Sequence, residues 1–409
     1  MKILSLSYLN IWPHGEGKGI PSIFLLQKGL VDKGWEAHFV CPAWHSKPGQ
    51  SLYYGIHMHR FGMPFIESLQ CDNARLDKFF SHIKASFFSN LAWLFFQIYG
   101  FLELRRIAGK LRPEIIYSHD LTAAFPAWLV SRIFKAKFVL RVYGTRSLWW
   151  QYQKFLARIK ECRDFLALRL PADCLIITKD GTNADVLARR LGVKEEKIRH
   201  WRNGVDFSLY DPDPGIGEMV KRELGIPPGK KIILSTSRII AFYRVDRLVF
   251  RLPEIFRLNP DCVCVIASGG QDKNRFEEFV AKNNISDKVF FSGMVDKPAL
   301  KKLLNAADVF INLTSYSNCN NSLFEAMVAG KCIVALDNPN IRELIVHRES
   351  GYLLKEEELD DLPRIMRDIL SDTDVMNRLK DGARNAALSK LWSWQARIDE
   401  EDKLLRGLV

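Results

Sequence analysis

The chain has few cysteines, and they do not form a recognisable metal or disulfide pattern. Eight cysteines are scattered over 409 residues without the paired spacing of a zinc site. No signal peptide is recognised at the start of the sequence, so we expect free thiols in a reducing, cytoplasmic compartment. Cys262 and Cys264 lie in an apolar run that predicts a strand, which favours core positions for both.

Long hydrophobic runs, internal repeats and low-complexity segments are also missing. The apolar stretch 91–102 is too short for a membrane-spanning helix. Hydrophobic residues make up 47% of the chain and charged residues 26%, as in ordinary globular proteins. At 409 residues the chain is too long for one hydrophobic core and suits two domains.

Acidic residues are outnumbered, which gives a formal net charge of +12. Such an excess favours an anionic partner: a nucleotide, a nucleic acid or an acidic lipid surface. Nucleic acid is disfavoured because no recognised binding motif accompanies the charge. Segment 78–113 combines many aromatic residues with several basic ones. It is interpreted either as a long helix half-buried in the first domain or as a basic, aromatic helix that touches a membrane surface.

Short apolar runs alternate with helical patterns in both halves of the chain. They predict strands at 2–7, 37–41, 56–61, 114–118, 137–142 and 174–178, and then at 231–236, 263–267, 289–292, 309–313, 333–336 and 351–354. This alternation is typical of parallel sheets covered on both faces. We therefore predict an α/β protein with two Rossmann-like, doubly wound domains. The turn-rich stretch near Asp211 places the boundary between domains 1–212 and 213–390.

The most informative segment is 315–335, where a polar loop leads from one strand into a helix. The loop reads Ser-Tyr-Ser-Asn-Cys-Asn-Asn-Ser, and the helix ends at Gly330 before another apolar strand. A helix N-terminus offers unpaired backbone N–H groups and a positive dipole end, which suit a phosphate. Glu325, one turn inside the helix, could accept two hydrogen bonds from a diol such as ribose. A capped helix between two strands would explain the same pattern without any ligand.

This segment resembles the donor-site motif of retaining, nucleotide-sugar-dependent glycosyltransferases with the two-domain GT-B fold. Glu325-Ala-Met, Gly330 and the following apolar strand match the motif. Ser317 replaces the first of the family's two acids, eight residues before Glu325. The turn from Asn203 to Asp206 is also similar to the family's Asn-Gly-Val-Asp turn. The resemblance extends over nearly the whole chain and implies a GT-B architecture with a central cleft between the domains. It also implies that the last helix, within 391–409, crosses back to the first domain.

The resemblance implies roles for residues of the second domain on the donor side. Arg238 matches an Arg that binds the donor diphosphate; Tyr243 replaces the family's Lys, and Arg244 beside it could supply the missing charge. Gly269 fits the region that recognises base and ribose. Glu325 would hold the ribose. The loop residues expected around the donor are Ser317, Asn318, Asn320, Asn321, Ser322 and Leu323.

In the first domain, His119 matches a His that lies near the donor sugar, where it would hold a sugar hydroxyl at the reacting centre. Tyr143 replaces a further family His, and Gly144 allows a close approach to the cleft. Gly19 would be the second of a glycine pair in the loop 14–19, with Lys18 in place of the first. Lys18, Tyr143 and Gly144 are therefore expected at the acceptor or cleft side. His119, Arg238 and Glu325 are the candidate catalytic residues.

No metal or other cofactor is expected, since the Arg residues and the helix N-terminus would stabilise the leaving diphosphate. Asp211 and Asp213 resemble an Asp-x-Asp metal motif but lie in a linker. His57 and His59 share one face of a strand without an evident third ligand. The expected partners are a nucleotide-sugar donor, a glycan or lipid-linked acceptor and an anionic membrane surface. The expected location is cytoplasmic, peripheral on the inner face of the cell membrane.

Three other functions remain open at the level of sequence. A nucleotide-sugar epimerase has a related two-domain fold but releases a free sugar product. A catalytically decayed nucleotide-binding module would explain the changes at Ser317, Tyr143 and Tyr243. A periplasmic-type binding protein also has two α/β domains, although the missing signal peptide argues against it. Turnover with an acceptor, as expected of a hexosyltransferase, separates the first interpretation from the rest.

Overall fold

The computed structural model contains two parallel sheets, each flanked by helices. It describes residues 1–11, 20–43, 47–64, 78–145 and 162–409, without the side chains of 78–89 and Pro214. Within those ranges the first sheet has the strand order β3-β4-β2-β1-β5-β6-β7-β8 and the second has the order β11-β10-β9-β12-β13-β14. Only the β3–β4 pair is antiparallel. The predicted α/β class with two Rossmann-like domains is therefore confirmed.

The strands of the first sheet are β1 (Lys2–Leu6), β2 (Glu36–Pro42), β3 (Gly49–Tyr53), β4 (Ile56–Phe61), β5 (Ile115–Ser118), β6 (Lys137–Val142), β7 (Cys174–Thr178) and β8 (Ile198–Trp201). Those of the second are β9 (Lys231–Ser235), β10 (Cys262–Ile266), β11 (Val289–Phe291), β12 (Val309–Asn312), β13 (Cys332–Leu336) and β14 (Tyr352–Leu354). The sequence analysis missed β3 and β8. Both lie at sheet edges, so neither is a continuous apolar run.

The helices are α1 (Pro21–Asp32), α2 (Lys78–Leu111), α3 (Ala124–Phe134), α4 (Cys162–Leu168), α5 (Ala184–Arg190), α6 (Pro214–Glu223), α7 (Asp246–Val249), α8 (Leu252–Leu258), α9 (Lys273–Lys282), α10 (Lys297–Ala306), α11 (Asn321–Val328), α12 (Pro339–Arg342), α13 (Leu362–Ser371), α14 (Thr373–Lys390) and α15 (Trp394–Leu408). Short 3₁₀ helices occupy Glu195–Lys197, Ala241–Tyr243 and Glu356–Asp361.

Each sheet separates two hydrophobic cores, because successive strand residues face opposite sides. On β9, Ile232 and Leu234 pack with α10 and α11, whereas Ile233 packs on the other face with α8 and α13. On β1, Leu4 packs beneath α2, while Ile3 packs beneath α15. Because neighbouring strands are parallel, their C-terminal ends lie together at one edge of each sheet. These edges face the space between the domains.

Helix α2 packs against the first sheet and against α3. Phe96, Leu104 and Ala108 are buried in the core beneath it. Of the helices in the described ranges, none is long and apolar enough to cross a membrane. The half-buried interpretation of this segment is therefore correct for its C-terminal part. That interpretation leaves open what its outer face contacts.

The chain crosses between the domains twice, and the two crossings lie side by side. The N–H of Val205 donates to the carbonyl of Trp392 at 2.9 Å, and Val205 also forms a bridge with Ser393. A Cβ at Gly204 would lie 2.5 Å from Cα of Trp394, so only glycine allows this approach. Val205 and Tyr210 already pack in the second core. The first crossing thus precedes the boundary predicted after residue 212.

Helix α15 returns to the first domain, where a buried ionic cluster holds it. Glu401, which is fully buried, pairs with Arg141 of β6 at 3.2 Å and with Arg397 at 2.6 Å. It also accepts a short hydrogen bond from the hydroxyl of Tyr117 on β5. These charged partners hold the pKa of Glu401 below its usual range despite burial. One carboxylate is therefore the shared ion-pair partner of two buried guanidinium groups.

Replacing Glu401 by Gln should lower the free energy of unfolding by about 3–5 kcal/mol, because both guanidinium groups would stay buried without a counter-charge. Denaturant titration of the full chain measures the loss. Glu400→Gln is the matched control, since Glu400 is exposed on the same helix and should change stability by less than about 0.5 kcal/mol. Equal losses in the two variants would contradict this account of the cluster.

Candidate active site

The loop between β12 and α11, residues 313–320, is held by side chains from its own domain. We call it the donor loop. Asn312 donates from Nδ2 to the carbonyl of Asn318 at 3.0 Å. The buried guanidinium of Arg247 donates to the carbonyl of Leu313 at 2.7 Å and to Oγ of Ser315 at 2.8 Å. A fixed backbone of this kind can present its N–H groups without rearrangement.

The donor loop ends in a capped but accessible helix N-terminus. Oδ1 of Asn320 accepts from the N–H of Leu323 at 3.0 Å, so Asn320 is the N-cap. This cap occupies the N–H of Leu323 and leaves those of Asn321 and Ser322 for an anion. Ser317 adopts φ +53°, a left-handed conformation that is uncommon outside glycine and asparagine. The predicted anion site at this helix is therefore geometrically available.

Glu325 lies one turn further along α11, at the wall of a cavity between the domains. Its side chain is almost completely buried and forms an ion pair with Lys297 through Oε1. Its second oxygen, Oε2, is buried without a hydrogen-bond partner in the described part of the chain. The cavity has a volume of about 100 Å³, and Tyr210 and Leu25 also line it. An unpaired buried carboxylate oxygen is costly, so this geometry suits a ligand with hydroxyl groups.

Lys297, the first residue of α10, is a further candidate site residue that the sequence analysis did not name. It lies beside Glu325, and its ammonium lies 5.9 Å from the ring centroid of Tyr210. Burial lowers the pKa of Lys297 to about 8, while the adjacent carboxylate acts in the opposite direction. The only feature of the sequence that could have pointed to Lys297 was its position after the short strand β11.

Arg238 and Arg244 follow β9 but differ in their surroundings. Arg238 is exposed, and its guanidinium lies 5.7 Å from the ring centroid of Tyr243. Arg244 has φ +52° and binds the carboxylate of Asp246 through Nε at 3.1 Å. Its charge is therefore engaged within the loop, whereas the exposed guanidinium of Arg238 forms no ion pair with a carboxylate in the described part of the chain and can bind an anion.

The glycines after β10 support this Arg-bearing loop by close packing. The carbonyl of Gly269 accepts from the N–H of Ile239 at 3.0 Å. A Cβ at Gly270, whose φ is +157°, would lie 2.1 Å from the carbonyl oxygen of Ile239. Gly270 is thus the position where the backbone requires glycine.

The donor loop also contacts the first domain directly, at the segment after β7. The N–H of Cys319 donates to the carbonyl of Asp180 at 3.0 Å, and Oγ of Ser317 donates to Oδ2 of Asp180 at 3.2 Å. A Cβ at Gly181 would lie 2.3 Å from Oδ1 of Asn318, which shows how closely the two segments pack. Asn318 is fully buried in this contact, so its side chain does not face a ligand cavity.

Two further cross-domain contacts stabilise the same closed arrangement. Glu343 of the second domain pairs with Lys179 at 2.5 Å and with Arg202 at 2.7 Å. Asn203 donates from Nδ2 to Oδ1 of Asn321 at 3.2 Å, at the start of α11. The C-terminal half of the donor loop and the start of α11 are therefore tied to the first domain.

A second interdomain cavity, which we call the cleft cavity, has a volume of about 350 Å³. The first domain contributes Tyr143, Gly144 and Asp180 to its lining, and the second contributes Tyr243 and Ser317. Burial raises the pKa of Asp180 to about 6. The donor loop lines the cleft cavity through Ser317, and the first turns of α11 line the smaller cavity through Asn321 and Glu325.

His119 is not accessible from the cleft cavity in this arrangement. It is fully buried after β5, with Nε2 at 2.8 Å from Nε2 of Gln27 and Nδ1 at 3.5 Å from the hydroxyl of Tyr143. Burial lowers the pKa of His119 well below its ordinary range, so the imidazole is neutral. Neither ring nitrogen is directed at an open space, and Tyr143 lies between the imidazole and the cleft.

The structure thus brings most of the predicted second-domain residues to one side of the interdomain space. Leu323 is an exception, since its side chain is in the core and its N–H donates to the Asn320 cap. Lys18 and Gly19 lie outside the described residues. Lys297 and Asp180 were missed, because each meets its partner only through the tertiary fold.

The two motifs that could have suggested a metal have other roles. Asp213 caps α6 by accepting from the N–H groups of Gly215 and Ile216, and Asp211 pairs with Arg384 at 2.6 Å. His59 lies 2.9 Å from Nδ1 of His38, and His57 stacks on the same imidazole. No group of three or more potential metal ligands forms among the residues that the model describes.

Two family models match the chain and together cover most of it. Residues 218–386 match the glycosyl transferases group 1 model, and residues 22–209 match the glycosyltransferase family 4 model. The chain therefore belongs to the group 1 glycosyltransferases, as the sequence motifs predicted.

Individual relatives are distant. An uncharacterised glycosyltransferase of Methanocaldococcus jannaschii is 22% identical over 74% of this chain and 78% of its own length. The α-maltose-1-phosphate synthase of Mycolicibacterium smegmatis is 26% identical over 73% of this chain and 80% of its own. Each supports the family and leaves the substrates open.

Solved structures confirm the GT-B fold over the full length. Sucrose-phosphate synthase from Thermosynechococcus elongatus superposes with a TM-score of 0.75 at 18% identity, covering 100% of this chain and 99% of its own. HepE of Anabaena, crystallised with UDP-glucose, gives a TM-score of 0.73 at 15% identity with complete coverage of both chains. At these identities the likeness establishes the architecture only.

Replacing Gly181 by Ala should open the interdomain contact, because the new Cβ would clash with Asn318. Hydrogen exchange of the Cys319 amide, which donates to Asp180, should then become faster. Gly192→Ala is the matched control: its φ of +86° imposes similar backbone strain, of about 1–2 kcal/mol, with no atom within 4 Å of the new Cβ. Unchanged exchange at Cys319 in Gly181→Ala would show that this contact does not hold the domains together.

Proposed function

We propose that this protein transfers a sugar, a hexose in the simplest case, from a nucleotide-sugar donor to an acceptor hydroxyl with retention of anomeric configuration. The observation that carries the proposal is Glu325. Its Oε2 is buried without a partner among the described residues, and its side chain lines an interdomain cavity one turn from an accessible helix N-terminus. A ribose diol bound to this carboxylate would bring the attached diphosphate to the N–H groups of Asn321 and Ser322.

Charge supports the same assignment of the donor. Arg238 is exposed beside Tyr243, so it is available to bind the diphosphate in bidentate fashion. In the reaction the acceptor oxygen bonds to the anomeric carbon on the face from which the diphosphate leaves. The bond from that carbon to the phosphate oxygen breaks with its electrons on the phosphate, which takes the acceptor proton. Arg238 and the helix N-terminus stabilise the developing charge, so no metal is required.

UDP is the first nucleotide to test, because a neighbour of the same fold was crystallised with UDP-glucose. A thermal-shift screen of UDP-, ADP- and GDP-sugars identifies the donor, since a ligand at 100 times its Kd stabilises the native state by about 2.7 kcal/mol.

Release of nucleoside diphosphate should proceed in the presence of EDTA and should depend on an added acceptor. The readout is coupled detection of the nucleoside diphosphate together with NMR of the product anomer. Turnover that stops with EDTA and returns with Mn²⁺ or Mg²⁺ would contradict the metal-free mechanism. Donor binding without any turnover would favour the decayed nucleotide-binding module, and release of a free epimerised sugar would favour an epimerase.

Glu325→Gln and Arg238→Ala should weaken UDP binding in different ways. Glu325→Gln removes the charged acceptor of the ribose hydroxyls, and we expect a loss of about 2–4 kcal/mol. Wild type should discriminate against 2′-deoxy-UDP, while the Gln variant should bind UDP and 2′-deoxy-UDP alike. Calorimetric titration measures both ligands. Glu278→Gln, an exposed change on α9, is the control.

Arg238→Ala should instead abolish the preference for UDP over uridine. Arg364→Ala is its matched control, because Arg364 is exposed in the same domain with only a distant carboxylate partner at 3.9 Å. If Arg238→Ala weakened UDP and uridine equally, the residue would support the fold rather than the diphosphate.

We further propose that the acceptor is lipid-linked or part of a cell-envelope glycan, and that the protein acts from the cytoplasm on an anionic membrane surface. The support is the outer face of α2. Leu94, Ile98 and Leu102 lie one turn apart on this face, and each is about half exposed. Phe125 on the adjacent α3 is similarly exposed. Basic residues follow on α2, and the chain carries a net charge of +12.

Vesicle sedimentation should show tighter binding to anionic than to neutral vesicles, and the difference should shrink at high salt. Leu102→Asp should weaken anionic-vesicle binding by about tenfold, since it places a charge in the apolar contact. Leu388→Asp is the control, because Leu388 is exposed to a similar degree, 54% against 52%, on a helix of the second domain. Equal binding to both vesicle types at low salt would exclude the membrane surface and leave the glycosyltransferase assignment intact.

A further inference from the structure

The cleft cavity contains a carboxylate from the first domain, Asp180, that the family motif does not specify. Asp180 follows β7, at the edge of the sheet that faces the second domain. Its Oδ1 accepts from the N–H of Thr182 at 3.0 Å and from the Thr182 hydroxyl at 2.7 Å. Its Oδ2 accepts from Oγ of Ser317, at 3.2 Å. Because a carboxylate oxygen has two acceptor sites, Oδ2 retains one for a further donor.

The backbone around Asp180 is shaped to keep this oxygen at the cavity. A Cβ at Gly144, whose φ is +135°, would lie 2.5 Å from Oδ2 of Asp180. The N–H of Thr145 donates to the Thr182 hydroxyl at 3.2 Å, which orients that hydroxyl toward Oδ1. Three separate segments therefore determine where this carboxylate lies.

If the nucleotide-sugar donor binds as proposed above, Asp180 lies where its sugar would be. The assignment of a role to Asp180 therefore rests on the proposed glycosyltransferase function. If Glu325 holds the ribose and the start of α11 holds the diphosphate, the sugar lies further back along the donor loop. Ser317 is at that point, and Asp180 contacts it. The cleft cavity, at about 350 Å³, is within the range of small-molecule sites.

We propose that Asp180 is the carboxylate of the donor-sugar subsite, where it accepts hydrogen bonds from sugar hydroxyl groups. Ser317 is its partner across the interface, so the subsite is complete only when the two domains are closed. A carboxylate accepts hydrogen bonds and donates none, which selects a sugar with a free hydroxyl or amino group at this point. The acid that the donor loop lacks at Ser317 is thus supplied by the other domain.

The electrostatics of Asp180 favour a binding role over a structural one. Burial raises its pKa to about 6, so the fold itself disfavours the ionised form. Between the ordinary Asp pKa and this value the folded state binds more protons than the unfolded state, so the group lowers stability as pH rises. A neutral isostere should therefore not destabilise the protein at pH 7.5, whereas it should impair a ligand contact.

Asp180→Asn tests the proposal with UDP and UDP-glucose as probes in calorimetric titrations. We expect the Kd for UDP to stay within twofold of wild type, the Kd for UDP-glucose to rise at least tenfold, and the melting temperature at pH 7.5 to be equal or higher. The double variant Asp180→Asn with Ser317→Asp returns a carboxylate to the cavity from the second domain. It should recover most of the lost affinity for UDP-glucose.

Several results would overturn the proposal. If Asp180→Asn weakened UDP and UDP-glucose by the same factor, or lowered the melting temperature, Asp180 would be structural. If UDP-glucose bound the variant as it binds wild type, the sugar would lie elsewhere. If the wild-type protein bound neither UDP nor UDP-glucose, both the UDP-sugar donor and the Asp180 subsite would be wrong. That result differs from one in which wild type binds both ligands and only the expected effect of Asp180→Asn is missing.

Discussion

The buried carboxylate of Glu401 is the interaction on which the arrangement of the two domains depends. It pairs with Arg141 in the first sheet and with Arg397 in the returning helix, and its loss would leave both buried guanidinium groups without this partner. Arg141 also donates to Asn203 at 3.0 Å, and Asn203 donates to Asn321 at the start of α11. A continuous chain of polar contacts therefore leads from the C-terminal helix to the donor loop. The position of the N-terminus of α11 relative to the first domain therefore depends on the ion pairs of Glu401, which lie far from it.

Polar groups at the strand ends divide into those that the protein satisfies and those that it leaves available. Asp120 accepts from Ser7 Oγ at 2.9 Å and from the N–H of Tyr8 at 2.8 Å, and both ring nitrogens of His119 have neighbours within the protein. Glu325 and Asp180 each keep an oxygen with spare acceptor capacity beside a cavity. Because a carboxylate oxygen can accept more than one hydrogen bond, both oxygens are candidates for binding a hydroxylated ligand.

Features that depend on neighbouring residues in the chain were predicted well from the sequence, and features that depend on distant segments were not. The central strands β9 and β12 are continuous apolar runs and were predicted within one residue of their ends, whereas the edge strands β3 and β8 have no such run. Glu325 was found because it lies within one contiguous motif. The accessibility of His119 could not be predicted, since the groups that enclose it come from α1 and from the loop after β6.

The sequence by itself determined the class of the fold and the family, and it predicted the loop-to-helix anion site. These depend on residues two to eight positions apart, whose relative geometry is set by strand and helix periodicity. Only the tertiary structure decided which charged groups share a cavity. Lys297 meets Glu325 from a neighbouring helix, and Asp180 meets Ser317 from another domain, 137 residues away in the chain. Such pairs form only when separate helices and domains pack together. No local sequence pattern predicts which residues this packing brings into contact. The acid of the proposed sugar subsite is therefore visible only once the two domains are seen in contact.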